Sequence, residues 1–165
     1  MATKMTIAAS LSLYNMLEAM LFEKVTDDEG KEKIEERNLP FNVKFKIQAN
    51  LNTLAKDYAH FEAETRKLFE TYGVEKENHV LEIPEDKRDE FSEARAKIFA
   101  EHTENEMVLF TLEDIDAIKV EGFTVQQIDL FIDALLKKDN LPTEEEFNEG
   151  LKLADNADTD ASKGK

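Results

Sequence analysis

Acid–base and metal chemistry would first be sought at histidine, and this sequence holds three: His60, His79 and His102. A metal site or a general base needs several ligands or partners converging on one point. The three histidines fall in separate segments, and none belongs to an HExxH pattern. They read as surface or helix-end residues. Acidic neighbours are common, as in Glu62 with Glu64 or the run Glu144-Glu145-Glu146. A catalytic carboxylate pair needs one member with a raised pKa in a pocket, and acids at this density read as solvated helix faces. The stretch Asp158-x-Asp160-x-Ser162 resembles the opening of a calcium loop. Its sixth position is Lys163 where such loops need glycine, and no bidentate Glu follows. With no cysteine, the chain has no disulfide, zinc–thiolate site, iron–sulfur cluster or cysteine nucleophile. No GxGxxG, GxxxxGK[ST] or GxSxG pattern occurs, so phosphate-cradling loops and a nucleophile elbow are unsupported. The expectation is a protein that is not an enzyme, with no catalytic, cofactor-binding or metal residues and no cofactor.

Charge narrows the partners. The chain has 165 residues, 37 of them acidic and 21 basic, for a formal net charge of -16. Phosphate attracts Lys and Arg, so this balance argues against direct binding of nucleic acid or an anionic membrane. It suits solubility, a basic protein partner, or mimicry of a nucleic acid. No stretch reaches 18 uninterrupted apolar residues, so no transmembrane helix is expected. The apolar run Ile7-Ala8-Ala9-Ser10-Leu11-Ser12-Leu13 resembles part of a signal peptide. Its Ile7, Leu11, Tyr14, Leu17 and Leu21 instead repeat on one helical face, which predicts an amphipathic helix that stays on the protein.

The elements that must position any interface are mostly helices. Glycine and proline number only 5 and 3, which favours long helices over short strands. The pattern predicts helix one from about Ile7 to Lys24, then a charged, solvated connection over residues 26–37. Pro40 suits a helix start, and nothing breaks the helix from about 41 to 72. Inside it Ile47, Leu51, Leu54, Tyr58, Phe61, Thr65, Leu68 and Tyr72 alternate spacings of 4 and 3, a heptad seam of more than three repeats. Phe41, Val43, Phe45 and Ile47 are apolar on more than one side, which predicts burial all round at that end. Gly73 is placed to cap the C-terminus. At about 1.5 Å per residue this helix is roughly 48 Å long, so it must span or protrude from the body.

Shorter elements follow. Residues 78–83 read as a strand ended by Pro84, and 106–111 as a second strand that could pair with it. Between them Phe91, Arg95, Ile98 and His102 form the stripe of a helix ending near Thr103. A short helical turn is expected over 112–118. Thr124 with Gln127 forms a capping box, with Phe123 and Ile128 as its staple, ahead of a helix carrying Phe131, Ile132 and Leu135. A second box, Thr143 with Glu146 after Pro142, predicts a helix over 141–153 carrying Phe147, Leu151 and Leu153. Residues 154–165 are low-complexity and predict a flexible acidic tail. The expected architecture is mainly α: a long central helix (about 41–72) forming a hairpin or bundle with two shorter helices, plus a small two-stranded β ribbon. The expected organisation is one helical domain over 1–140, the C-terminal helix and the tail.

Tyr58, Thr65 and Tyr72 are the odd members of the seam. They read either as core residues with wet tips or as an interface for a partner helix, since tyrosine is favoured at interfaces. Phe41 and Phe45 ahead of the seam are similar candidates. The runs Leu39-Pro40-Phe41-Asn42-Val43-Lys44-Phe45-Lys46-Ile47 and Phe61-Glu62-Ala63-Glu64-Thr65-Arg66-Lys67-Leu68-Phe69-Glu70-Thr71-Tyr72-Gly73 resemble a group of small uncharacterised bacteriophage proteins. In that group an LP-hydrophobic-K start leads into a long helix ending R-K-L-x-x-x-Y-G. The resemblance covers roughly residues 39–135 and carries no activity. It implies a phage origin, with a role in virion structure or assembly as a homo- or hetero-oligomer with other phage structural proteins, in the virion or the host cytoplasm. The alternative is an acidic phage-encoded inhibitor of a host defence protein, acting as a nucleic-acid mimic or a surface cap.

Overall fold

A computed structural model describes residues 2–76, 80–118 and 122–137. The chain is mainly helical, built on one long helix and edged by three two-stranded ribbons. The long helix, α2 (Phe41–Tyr72), has the bounds that the sequence predicts. Helix α1 (Ile7–Leu21) lies against its first half and runs the opposite way: Ser10 near its start meets Asp57, while at its end Leu21 C=O accepts from Arg37 N–H at 2.8 Å, just ahead of α2. Helix α3 (Arg88–Ala100) covers the second half, also antiparallel to α2, with Phe99 on Phe61 and Phe91 on Phe69. A 3-10 turn, Glu85–Lys87, leads into α3 and places two acids at its positive end. The two shorter helices thus follow one another along the long one.

The ribbons differ from expectation. The strand at Leu81–Glu82 (β5) pairs with Val74–Glu75 (β4), not with the later segment. The two segments are close in sequence, so the loop to be closed is short and its entropy cost small. The later strand is β6 (His102–Glu106), which begins where the sequence predicts that the helix continues to Thr103. It pairs antiparallel with an N-terminal strand, β1 (Ala2–Thr6), with Met5 opposite Thr103. Because α1 and α3 both run antiparallel to α2, the start of α1 meets the end of α3. Ile7 N–H donates to Glu101 C=O at 2.8 Å there, and the two strands leave side by side.

Helix one ends three residues early. Phe22–Thr26 (β2) and Glu32–Glu36 (β3) form a hairpin where the sequence predicts a solvated connection. The turn explains the change. Asp27 Oδ1 accepts from the backbone N–H of Glu29 and Lys31 at 3.0 and 2.9 Å, and Gly30 takes φ 79°, open to glycine at no steric cost. The stretch is still solvated: β3 is exposed throughout.

The core lies between α1, the first half of α2 and α5 (Val125–Leu135). Leu13, Leu17, Ile47, Leu54, Phe110 and Leu135 are all fully buried there. Phe110 stacks on Phe131, its N–H donates to Leu135 C=O at 2.7 Å, and Lys137 N–H returns to its carbonyl at 3.0 Å. The predicted capping box forms: Thr124 Oγ1 accepts from Gln127 N–H at 3.2 Å, and Gln127 Oε1 accepts from Thr124 N–H at 2.9 Å. Helix α4 (Leu112–Asp116) carries a further box, Thr111 with Asp114. Gly73 follows α2 with an extended backbone, not a left-handed one, and a Cβ there would lie 2.4 Å from Phe69 C=O. Its value is space, not positive φ. The expected helix over 141–153, the tail over 154–165 with its calcium-like stretch, and His79 with the start of its expected strand lie outside the described residues.

Candidate functional site

The expected interface residues separate into three environments. Phe41 and Phe45 stand on the outer face of the first turns of α2, 85% and 60% exposed. Burial all round is therefore overturned: the helix start is covered on one side, where Val43 and Ile47 are buried, and bare on the other. Positions 41 and 45 lie one turn apart, so the two rings share a face. Tyr58 is 37% exposed and stacks on Tyr14 at the edge of α1. Thr65 and Tyr72 lie in the second half of α2. Tyr72 packs edge-on against Phe91, 6.4 Å between centroids. Thr65 Oγ1 is buried with no hydrogen-bond partner among the described residues. The structure does not bring these five residues together.

The displacement of Tyr58 is explained by the seam that is buried. The buried positions of α2 are Val43, Ile47, Asn50, Leu51, Leu54 and Asp57. Spacings of 4, 3, 4 and 3 run through Val43, Ile47, Asn50, Leu54 and Asp57. Two places in the stripe belong to polar residues seven apart, one residue before Leu51 and Tyr58. An apolar count passes over them. The signal that finds them is a polar pair repeating with the heptad on the core side.

Both polar residues are satisfied by β6 and the two residues after it, together with α1. Asn50 Nδ2 donates to Val108 C=O at 2.8 Å and its Oδ1 accepts from Val108 N–H at 2.7 Å, so a side chain pairs with a main chain as a strand would. Asp57 Oδ2 accepts from Ser10 Oγ at 2.6 Å and Asn105 Nδ2 at 2.7 Å, while Oδ1 accepts from Thr103 Oγ1 at 3.0 Å. One carboxylate thus ties α1, α2 and β6. Ser10 and Asn105 are fully buried and Asp57 nearly so. A serine hydroxyl on a carboxylate could suggest nucleophile activation. Here it is sealed from any substrate, and its hydroxyl donates to the carboxylate with no imidazole between them, so the knot positions elements.

A second polar hub holds α4. Asp114 accepts from Asn42 Nδ2 at 2.9 Å, Thr111 N–H at 2.7 Å, Thr111 Oγ1 at 2.9 Å and Lys46 Nζ. Burial pushes its carboxyl up, but the bonds from Lys46 and Thr111 outweigh it and hold it below the ordinary aspartate range. His60 Nε2 pairs with Glu101 at 2.8 Å on the surface, and His102 is exposed in β6. Among the described residues no three His, Asp or Glu side chains are placed to hold a metal ion. None of the described helices is long and apolar enough to cross a membrane.

One concave feature is invisible in the sequence. An open cavity of about 410 Å³ lies between α1, α4 and α5. Its walls are Met16, Met20, Leu112, Ile115, Ile118, Phe123, Ile128, Phe131, Ile132 and Leu136, with Gly122 at the edge. Among the described residues no ionisable side chain lines it. Such a surface can hold apolar groups, and the described residues that line it supply no acid, base or nucleophile. No protein-family model, curated protein or solved structure matches this chain.

Proposed function

We propose that this chain is a non-enzymatic protein that works through protein–protein contacts made by helix faces, as a component or assembly factor of a bacteriophage particle. The observation that carries the contact reading is the pair Phe41 and Phe45. Two phenylalanines on one face of a helix end, 85% and 60% exposed, stand outside the chain's own core. Aromatic side chains of this kind anchor interfaces, where burial of each ring contributes a large apolar area. Lys44 lies between them in sequence and pairs with Glu36 of the hairpin, which leaves a polar rim beside the apolar patch. The phage assignment rests on the resemblance over residues 39–135. The hairpin and bundle arrangement of the long helix with its two neighbours belongs to this reading, as the rigid mount that presents the helix end.

The test uses the double substitution Phe41→Ser with Phe45→Ser in the phage that encodes the chain. Mass spectrometry of purified particles and assembly intermediates should find the unaltered chain at constant stoichiometry. The variant should fall at least about tenfold in incorporation, a loss of roughly 1.4 kcal/mol or more in binding. Its circular dichroism and melting should be unchanged, because exposed substitutions alter stability by at most about 0.5 kcal/mol. Absence of the unaltered chain from both particles and intermediates would overturn the assembly role. Equal incorporation of the variant would remove the phenylalanine pair as the contact.

A further inference from the structure

Of the three ribbons, the hairpin of β2 and β3 keeps a full strand edge open, and its charges say which kind of strand can join it. We propose that the outer edge of β3 accepts an extended segment of a partner protein as a third strand, with an apolar side chain beside Ile34 and a Lys or Arg beside Glu32. This surface is separate from Phe41 and Phe45.

The register defines the edge. Asp27 N–H donates to Lys31 C=O at 3.0 Å, and Arg37 N–H donates to Leu21 C=O at 2.8 Å. These links lie at the two ends of the ladder, and bonded pairs alternate along an antiparallel ribbon. The bonded pairs between them are therefore Val25 with Lys33 and Glu23 with Glu35. The N–H and C=O of Glu32, Ile34 and Glu36 point away from β2, and no other described strand pairs with them. The outer edge of β2 offers less, because Phe22 N–H already bonds Glu18 C=O at the end of α1. The other ribbons also offer less: β4 and β5 have two residues each, and β1 and β6 bury Met5 and Asn105. All five residues of β3 are exposed, Ile34 to 70%.

The edge is also held ready. A two-stranded hairpin alone is marginal in water. Here Arg37 at its base donates to Ala19 C=O and to Glu23 at 3.3 and 3.1 Å, and Lys44 of α2 pairs with Glu36. The strand is already extended and anchored before a partner arrives, which lowers the ordering cost of adding another.

Charge selects the occupant. Lys33 pairs with Glu35 at 2.6 Å and Lys44 with Glu36, so Glu32 is the acid of β3 without a basic partner among the described residues. A second copy, pairing antiparallel about Ile34, would set Glu32 against Glu36 twice, between chains of net charge -16. Like charges directly opposite are destabilising. Lys33 would face Glu35 in that arrangement, but each has its partner within the chain. A basic strand meets Glu32 with the opposite sign and is drawn by the field of the whole chain. Its apolar residue covers Ile34, the one uncharged side chain of β3. The acids that keep copies of the chain apart thus leave the edge open to a strand of opposite charge.

The test uses full-length, isotope-labelled protein and a capped heptapeptide, Thr-Lys-Thr-Val-Thr-Lys-Thr, which reads alike in both directions. Titration should shift the amides of Glu32, Ile34 and Glu36 saturably, with a Kd of about 1 mM or below. The same peptide with Glu for both Lys should bind about tenfold or more weakly, and added salt should narrow that gap. Ile34→Pro removes one outward N–H, keeps the bonds to β2 and is a change that an edge strand tolerates. It should abolish binding while circular dichroism stays the same. Glu32→Lys should reverse the preference between the two peptides. Phe41→Ser with Phe45→Ser should bind the peptide as the parent does, so failure at the strand edge and failure of the phenylalanine contact are read separately. No saturable shift up to about 5 mM would overturn the proposal, as would equal binding by Ile34→Pro or an unchanged preference in Glu32→Lys. Protection of the three amides from hydrogen exchange in the free protein would overturn it too. In dilute solution such protection would give the edge to another segment of the chain, and if it grew with concentration, to a second copy.

Discussion

The two halves of α2 obey the same heptad spacing and are held by different physics. The first half faces α1 and the core. Its seam residues Val43, Ile47 and Leu54 are at most 1% exposed, and two polar side chains in the stripe are fully hydrogen-bonded to other elements. The second half meets α3. Phe61, Leu68 and Phe69 are half-buried, Phe61 and Phe69 meet the rings of Phe99 and Phe91, and Thr65 leaves a hydroxyl unpaired among the described residues. Arg95 adds a guanidinium over Phe61 and Phe99 at 5.6 and 5.2 Å, a modest contribution at an exposed site. Periodicity therefore says which face is apolar. How deeply it is buried depends on how many elements the topology brings to it.

The largest expected effect breaks the polar knot of the first half. Asp57→Ala would leave Ser10, Thr103 and Asn105 with buried polar groups and no acceptor. Each such group costs about 1–3 kcal/mol, so urea unfolding should show a loss of about 4 kcal/mol. A loss below about 1 kcal/mol would mean that the three partners find other acceptors, and the contrast between the halves would weaken.

Paired truncations measure the contrast directly. Leu54→Ala in the sealed half should cost about 3 kcal/mol, and Leu68→Ala in the half-buried one about 1 kcal/mol. Hydrogen exchange should agree: amides of residues 47–57 should open only with global unfolding, those of 65–72 in a smaller and cheaper event. Equal costs at Leu54 and Leu68 would show that α3 seals its half as well as α1 does.

The next change should have the opposite sign. Thr65 Oγ1 is buried without a partner among the described residues, so the hydroxyl is a penalty that valine removes at nearly equal volume. Thr65→Val should raise stability by about 1 kcal/mol, seen as a higher urea midpoint at unchanged slope. A decrease would mean that the hydroxyl is paired in solution, and the second half would resemble the first more closely.

Much of this fold can be read from residues alone, and the limits have definite causes. The bounds of α2 follow from Pro40, an unbroken apolar repeat and Gly73, all local signals. The Thr124 box is equally local. The ribbons are not readable because strands of two to five residues take their partner from topology: β1 lies beside β6 because the start of α1 and the end of α3 meet along α2. The hairpin of β2 and β3 hides behind its charge, although Asp27 and Gly30 already mark its turn. Of the candidate interface residues, Phe41 and Phe45 stand out by their apolarity on the wrong side of a helix start. Asn50 and Asp57 escape notice because apolar counting ignores polar residues that share the core period. The cavity is invisible because its lining comes from α1, α4 and α5, far apart in sequence.

The smallest effect concerns the anchor at the start of the sealed half, and it appears only in acid. Asp114 joins α4 to Asn42 and Lys46 of α2, and its carboxyl is held below its ordinary value of 3.8 by the bonds it accepts from Lys46 and Thr111, which outweigh burial. A group whose pKa is lowered by folding binds its proton more readily in the unfolded chain. Its contribution to stability is therefore complete above about pH 4 and is lost as pH falls through the depressed folded value. Asp114→Asn removes that titration. The stability difference between the parent and the variant, measured by urea unfolding at a series of pH values, should be constant near neutrality and shrink below about pH 4. A difference that stays level down to about pH 2 would mean that Asp114 titrates alike in both states. The first half of α2 would then be fixed by its apolar seam and the Asp57 knot, without help from the hub at its start.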